Sequence, residues 1–272
     1  MADYTQIDRS PLLNFLFYPR PHATPCPQGA FDLEVPVAPR VSIFCRFYGG
    51  VEKGRWILYF HGNGEVVSDY DEIAPFYHAK QLNLVVADYR GYGKSTGSPN
   101  FTHLLADAHL ILKAVGEEMA RRGGSPDLWV MGRSMGSLAA VELGCHHPDA
   151  IRGLVIESGF ASVTRLIRHL RLPAQGIDLE PIETERLAVL QKISIPVLII
   201  HGEWDQLVPL QEAQDLYAHL GSLDKELLIV PEADHNNVMF VDLDLYLSAI
   251  QKFIQRTLSP PENPQGAKRS SD

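Results

Sequence analysis

The sequence predicts an α/β fold, a mostly parallel, doubly wound sheet with antiparallel strands at its N-terminal end. Three observations carry this. Six short, near-continuous apolar runs recur along the chain, as strands do when helices cover both of their faces. Segments with helical spacing lie between most of these runs. Two segments that alternate polar and apolar residues precede them all.

Taken in order, residues 31–37 and 41–48 alternate and flank Pro39-Arg40, which reads as an antiparallel hairpin or a pair of edge strands. Residues 56–60 form the first buried strand and 68–81 the first helix. A strand at 84–87 follows, then a helix at 102–122 in which Leu105, Ala108, Leu112 and Val115 fall on one face. Strand 128–131 leads into helix 135–146, and strand 154–156 ends at Glu157. Strand 197–200, helix 210–220, strand 227–230 and helix 240–257 complete the alternation. The segment 158–195, where such a fold inserts a lid, is 38 residues long, which is room for two short helices but not for a cap domain. With no repeat or linker inside 31–257, one domain is expected, with residues 1–30 as an N-terminal extension packed on it. Leu12, Phe15 and Phe17 in that extension read as cover for an edge of the core, with a peripheral lipid contact as the alternative. Residues 258–272, rich in Pro, Ser, Gly and charge, read as a disordered tail.

Composition narrows the class of function. The chain has 272 residues, 45% of them hydrophobic and 21% charged, an ordinary globular balance. Its net charge of −9 repels phosphate backbones, so nucleic acid is not an expected partner. Cys26, Cys45 and Cys145 are odd in number and scattered, which suits reduced thiols and offers neither a disulfide framework nor a zinc-ligand spacing. The first residues lack the basic and apolar regions of a signal peptide, and no apolar stretch is long enough to span a bilayer. A cytoplasmic protein is expected.

The sharpest motif is Gly132-Arg133-Ser134-Met135-Gly136, directly after strand 128–131 and directly before a helix-forming run. A strand-to-helix turn this tight needs small neighbours, which Gly132 and Gly136 supply. Ser134 Oγ would then stand at the carboxyl end of the sheet, beside a helix N-terminus that favours developing negative charge. The alternative is a serine that merely caps the helix. A serine nucleophile needs a base, and the base needs a carboxylate to orient it. Asp205 follows strand 197–200 and His235 follows strand 227–230, so acid and base lie in loops on the same rim as Ser134. Glu157 is the chief rival acid, while Asp234 adjoins His235 too closely to orient it. His201 suits a packing role in the turn, and His146 and His147 suit a helix C-terminus.

After strand 56–60 comes His61-Gly62-Asn63-Gly64-Glu65. The glycines let the Asn63 backbone approach a substrate, so its N–H and that of Met135 are the expected donors to an oxyanion. A glycine-rich turn without a catalytic part is the alternative. Asp88 and Arg90, in the cluster 88–95, read with His61 and Gly62 as supports that shape these loops. In the lid-type segment, Arg165, Arg168 and Arg171 recur every third residue. This stripe reads as a solvated helix face, with an anionic substrate or a weak membrane-surface contact as the alternative.

The HGNGE, DYRGYGKS, GRSMG, DQLVP and ADHN segments together resemble the α/β-hydrolase superfamily, and most closely its small, lid-poor serine hydrolases of the depalmitoylase-like and Bem-type branch. The resemblance spans residues 31–257 and implies an eight-stranded sheet with a minimal lid. It also implies a Ser134–His235–Asp205 triad, oxyanion donors at Asn63 and Met135, and no metal or organic cofactor. Membrane-anchored depalmitoylases of that branch have a cysteine-rich N-terminus, whereas Cys26 stands alone in the first 30 residues here, which speaks against lipid anchoring. The expected activity is hydrolysis of a small-molecule carboxylic ester or thioester through an acyl-enzyme. A serine peptidase or aminopeptidase on the same residues is the second reading, and a non-catalytic binding protein on a hydrolase scaffold is the third. An intact triad argues against the last.

Overall fold

The computed structural model describes residues 2–125 and 127–258. A short helix α1 (Thr5–Asp8) and a 3-10 turn (Pro11–Phe15) precede the antiparallel pair β1 (Ala30–Ala38) and β2 (Val41–Tyr48). Then follow β3 (Arg55–Phe60), α2 (Ala74–Ala79), β4 (Leu82–Ala87), α3 (Phe101–Arg121), β5 (Leu128–Arg133) and α4 (Ser137–His146). β6 (Leu154–Glu157) leads into α5 (Val163–His169) and α6 (Glu180–Gln191), the two short helices expected of the lid-type segment. β7 (Val197–Gly202), α7 (Leu210–His219), β8 (Lys225–Val230), α8 (Val238–Val241) and α9 (Leu243–Arg256) complete the chain. The expected tail at 258–272 lies outside the described residues except for Leu258.

The sheet has eight strands in the order β1-β2-β4-β3-β5-β6-β7-β8. β2 is antiparallel to β1 and β4, and every pair from β4 to β8 is parallel. All six parallel strands therefore end on one rim. β4 lies on one side of β3 and β5 on the other, which opens a crevice at the switch in strand order.

The near-continuous apolar strands have two buried faces. Leu58, Val85, Val130 and Ile199 pack on one side with Leu105, Ala108, Leu112 and Val115 of α3. Ile57, Leu84, Trp129 and Leu198 pack on the other with Tyr77 of α2 and Tyr246, Ile250 and Phe253 of α9. Adjacent residues thus alternate between two cores, the period of two that strands require.

Differences from the sequence reading fall at element ends. β4 begins at Leu82 because Asn83 is buried and exchanges two hydrogen bonds with the Val51 backbone, at 3.0 and 2.8 Å. The expected helix 68–81 is a 3-10 turn (Val67–Tyr70) and then α2, which has a proline in its first turn. The expected helix 240–257 starts at Leu243, where the Asp242 side chain accepts the Leu245 N–H at 2.9 Å.

The N-terminal extension docks on the core side of α3. Asp8 accepts the N–H groups of Phe101 and Thr102, each at 2.9 Å, and so caps α3 from a distant part of the chain. Tyr4 stacks on Phe101 and Phe17 meets it edge-on, both with ring centroids 5.0 Å apart. Leu12 is 1% exposed, whereas Phe15 is 48% exposed. Leu12→Ala should therefore lower unfolding free energy by about 2–5 kcal/mol in urea titrations. Phe15→Ala should move it by less than about 0.5 kcal/mol. Equal, small effects would mean that the extension is not part of the core.

Candidate active site

The turn between β5 and α4 is built around a pinch. A Cβ at Gly132 would lie 2.4 Å from the Gly136 carbonyl oxygen, and one at Gly136 would lie 2.1 Å from that of Phe60. Ser134 sits inside this pinch with φ at +51°, a left-handed conformation that costs a non-glycine residue about 1–3 kcal/mol.

The structure brings Ser134, His235 and Asp205 together. His235 Nε2 lies 3.0 Å from Ser134 Oγ, and His235 Nδ1 lies 2.7 Å from Asp205 Oδ2. The other carboxylate oxygen of Asp205 accepts the N–H groups of Leu207 and Val208, at 3.0 and 2.7 Å. All three side chains are buried. With its lone pairs so used, Asp205 cannot swing away from the imidazole.

The rival residues have other partners. Glu157 accepts the hydroxyls of Tyr246 at 2.7 Å and Tyr59 at 3.1 Å. Burial pushes both phenols well above their ordinary pKa, so they stay protonated as donors. Asp234 Oδ1 accepts N–H groups of its own loop, from Asn236 and Asn237. His201 is fully buried against the Val208 carbonyl at 2.8 Å, and burial lowers its pKa, which keeps it neutral beside Asp205. His146 and His147 end α4, near His109 and Glu142.

His61 is also fully buried. Its ring lies 2.8 Å from the Gly62 carbonyl and 3.2 Å from Asp88 Oδ1, which also accepts the Val67 N–H. Tyr89 donates to the His61 carbonyl at 2.5 Å. His61 and Asp88 thus brace the loop that carries Asn63. Arg90 points elsewhere and makes a bidentate pair with Asp107 of α3, both bonds 2.7 Å long.

Arg133, inside the elbow motif, links these parts. It pairs with Glu65, whose carboxylate also accepts the Gly62 N–H at 2.9 Å. It reaches Glu157 at 3.2 Å and donates to the His235 carbonyl at 2.7 Å. Burial opposes its charge, but Glu65 and Glu157 more than offset this and hold its pKa above the ordinary arginine value. The sequence reading passed over Arg133 and Glu65. The available signal was one charge of each sign inside the two motifs that must adjoin at the rim.

Ser134, Met135 and Asn63 line a cleft of about 310 Å3. Its other walls include Phe15, Leu166, Leu170 and Leu207, and no charged side chain lines it among the described residues. The lid-type segment therefore contributes α5 as an apolar wall. Arg165 of the basic stripe is engaged with Glu212 at 3.0 Å and with Asp215. A smaller cleft of about 160 Å3 behind Arg133 holds Glu65, Asp69 and Glu157, and Ser134 does not line it.

Among the described residues, one trio of potential metal ligands converges, His109, Glu142 and His146, within 4.8 Å of one another. His146 is the last residue of α4, whereas Ser134 precedes its first. No helix among the described residues is long and apolar enough to cross a membrane.

The serine aminopeptidase S33 family pattern (Hydrolase_4) matches residues 52–177 and 184–240. The chain belongs to this hydrolase family. It is 31% identical to the uncharacterized protein YfhR of Salmonella typhimurium over 215 residues, 75% of this chain and 72% of that one. It is likewise 31% identical to protein bem46 of Schizosaccharomyces pombe over 191 residues, 68% of this chain and 63% of that one. The Pyrococcus furiosus esterase Pf2001 superposes with a TM-score of 0.67 at 21% identity, covering 84% of this chain and 92% of the esterase. The S33-family hydrolase is thus an α/β-hydrolase of the Bem46-like branch, as its motifs suggest.

Within this hydrolase, Arg133→Gln should leave Glu65 and Glu157 facing each other without a cation. Unfolding free energy should fall by about 3–5 kcal/mol in urea titration. A variant as stable as the parent would show that the guanidinium is not the link between the loops.

Proposed function

We propose that this hydrolase is a serine esterase or thioesterase acting on small molecules with an apolar acyl group. The observation that carries this reading is the uncharged cleft that runs up to Ser134, in line with the His235–Asp205 pair. In the proposed reaction, His235 Nε2 takes the proton of Ser134 Oγ as that oxygen attacks the acyl carbonyl carbon. The Asp205 carboxylate holds the opposite ring nitrogen and favours the imidazolium as it forms. The backbone N–H groups of Asn63 and Met135 donate hydrogen bonds to the oxyanion of the tetrahedral intermediate, a contribution of about 3–4 kcal/mol per donor. The bond from the carbonyl carbon to the leaving oxygen or sulfur then breaks, and His235 returns its proton to the departing alcohol or thiol. Water, deprotonated by the same imidazole, cleaves the acyl-enzyme and restores Ser134.

The family description favours a second reading, an aminopeptidase. Such an enzyme must hold a free ammonium group near the scissile bond, which calls for a carboxylate. Glu65, Asp69 and Glu157 offer that charge in the smaller cleft, but Glu65 and Glu157 are already engaged with Arg133, and that cleft does not reach Ser134. The uncharged cleft favours an acyl chain.

A fluorophosphonate probe should label the protein covalently, and Ser134→Ala should abolish labelling. An unlabelled parent would support a binding protein on a hydrolase scaffold. Nitrophenyl esters and acyl thioesters should be cleaved in preference to aminoacyl anilides, and the reverse order would favour the peptidase.

A further inference from the structure

The segment from Phe15 to Tyr18 arrives at the site from outside the region matched by the family pattern and makes two kinds of contact there. The first is polar. The Asn63 side chain is held from three directions, and two of the holds come from this segment. Asn63 Oδ1 accepts the Tyr18 N–H at 2.9 Å and the Tyr92 hydroxyl at 2.6 Å, and Asn63 Nδ2 donates to the Leu16 carbonyl at 3.0 Å. Tyr92 OH also accepts the Tyr18 N–H at 3.0 Å, so strap, tyrosine and asparagine form a closed ring of bonds. The second contact is apolar. Phe15, Leu16 and Tyr18 line the 310 Å3 cleft together with Leu166 of α5 and Leu170 just after it. The strap cannot drift, because Leu12 and Phe17 on either side of Phe15 are buried in the core. Phe15 itself is 48% exposed, a large apolar side chain left in solvent at the cleft mouth.

We infer that residues 15–18 are part of the substrate site. Phe15 sets a preference for longer over shorter acyl chains, and the strap with Tyr92 positions Asn63 for its role as oxyanion donor. This rests on the reading of Ser134 as the nucleophile of an ester or thioester hydrolase. A cleft of this volume lies at the lower end of small-molecule sites, about 300–1,000 Å3, and its uncharged walls offer a long acyl group dispersion contacts that an acetyl group cannot use. Tyr92 and residues 16–18 do not touch the acyl carbonyl in this scheme. They act through Asn63, whose backbone would otherwise move with a glycine-flanked loop.

The test is steady-state hydrolysis of nitrophenyl acetate and nitrophenyl octanoate by the full chain and three variants. The parent should prefer octanoate. Phe15→Ala should lower the octanoate-to-acetate ratio of kcat/KM by about tenfold, since a lost wall removes contacts made only by the longer chain. Tyr92→Phe keeps the ring packing and removes one bond to Asn63. It should lower kcat on both esters by about tenfold while KM moves less than about twofold. Fluorophosphonate labelling of Tyr92→Phe should slow in parallel. A Phe15→Ala ratio equal to that of the parent would overturn the specificity role. A Tyr92→Phe kcat equal to that of the parent, or a loss carried by KM alone, would overturn the positioning role. Ser134→Ala separates the two levels of the argument. If it retains ester hydrolysis, the nucleophile assignment itself fails; if it is inactive while the other two variants match the parent, only the role of the strap fails.

Discussion

The contact on which the site depends is the approach of the Gly136 backbone to the end of β3. No side chain fits between Gly136 and the Phe60 carbonyl, so the start of α4 is pressed against the point where the Asn63 loop begins. β3 and β5 are hydrogen-bonded neighbours with Phe60 opposite Gly132, and the pairing of the sheet sets the spacing between serine and loop. The same holds on the other side, where Gly202 pairs with Val230 just before the loops that carry Asp205 and His235. Groups far apart in sequence are thus held at the ends of rigid strands, which position a side chain more closely than free loops do. The left-handed Ser134 persists because the sheet on both sides over-determines it.

Arg133 is the second constraint. A guanidinium shielded from solvent is costly unless its donors are satisfied, and here its partners belong to two loops and the end of a strand. Glu65 lies in the Asn63 loop, the His235 carbonyl in the last loop, and Glu157 at the end of β6. The arrangement also separates two environments across the serine. On one side the walls are apolar and uncharged; on the other, carboxylates surround the arginine.

Much of this was legible in the sequence. The strand-and-helix alternation, the elbow glycines and the order of Ser134, Asp205 and His235 are local patterns or follow from the rule that parallel strands end on one rim. The lid-type segment showed its two helices through its length alone. What stayed hidden is set by tertiary contacts. Asn83 interrupts an apolar run, and its role as a clasp on Val51 appears only once the two segments adjoin. The pairing of Arg133 with Glu65 joins residues 68 positions apart, and nothing in either motif names the other as partner. The path of the N-terminal strap to Asn63 joins residues 45 and 47 positions apart and carries no periodic signal. The basic stripe is solvated at Arg168 and Arg171, as its spacing suggests, but Arg165 is spent on Glu212 and Asp215, which the spacing does not show.

The most direct test of the central claim, that Ser134 and His235 act as a single unit, is a double-mutant cycle in kcat on a nitrophenyl ester, with Ser134→Ala, His235→Ala and the combined variant. If the imidazole serves only to activate that hydroxyl, either single change removes nearly the whole rate and the double variant is no slower than the worse single one. Losses that multiply would mean that the two side chains contribute independently, and the shared-proton account of the site would be contradicted.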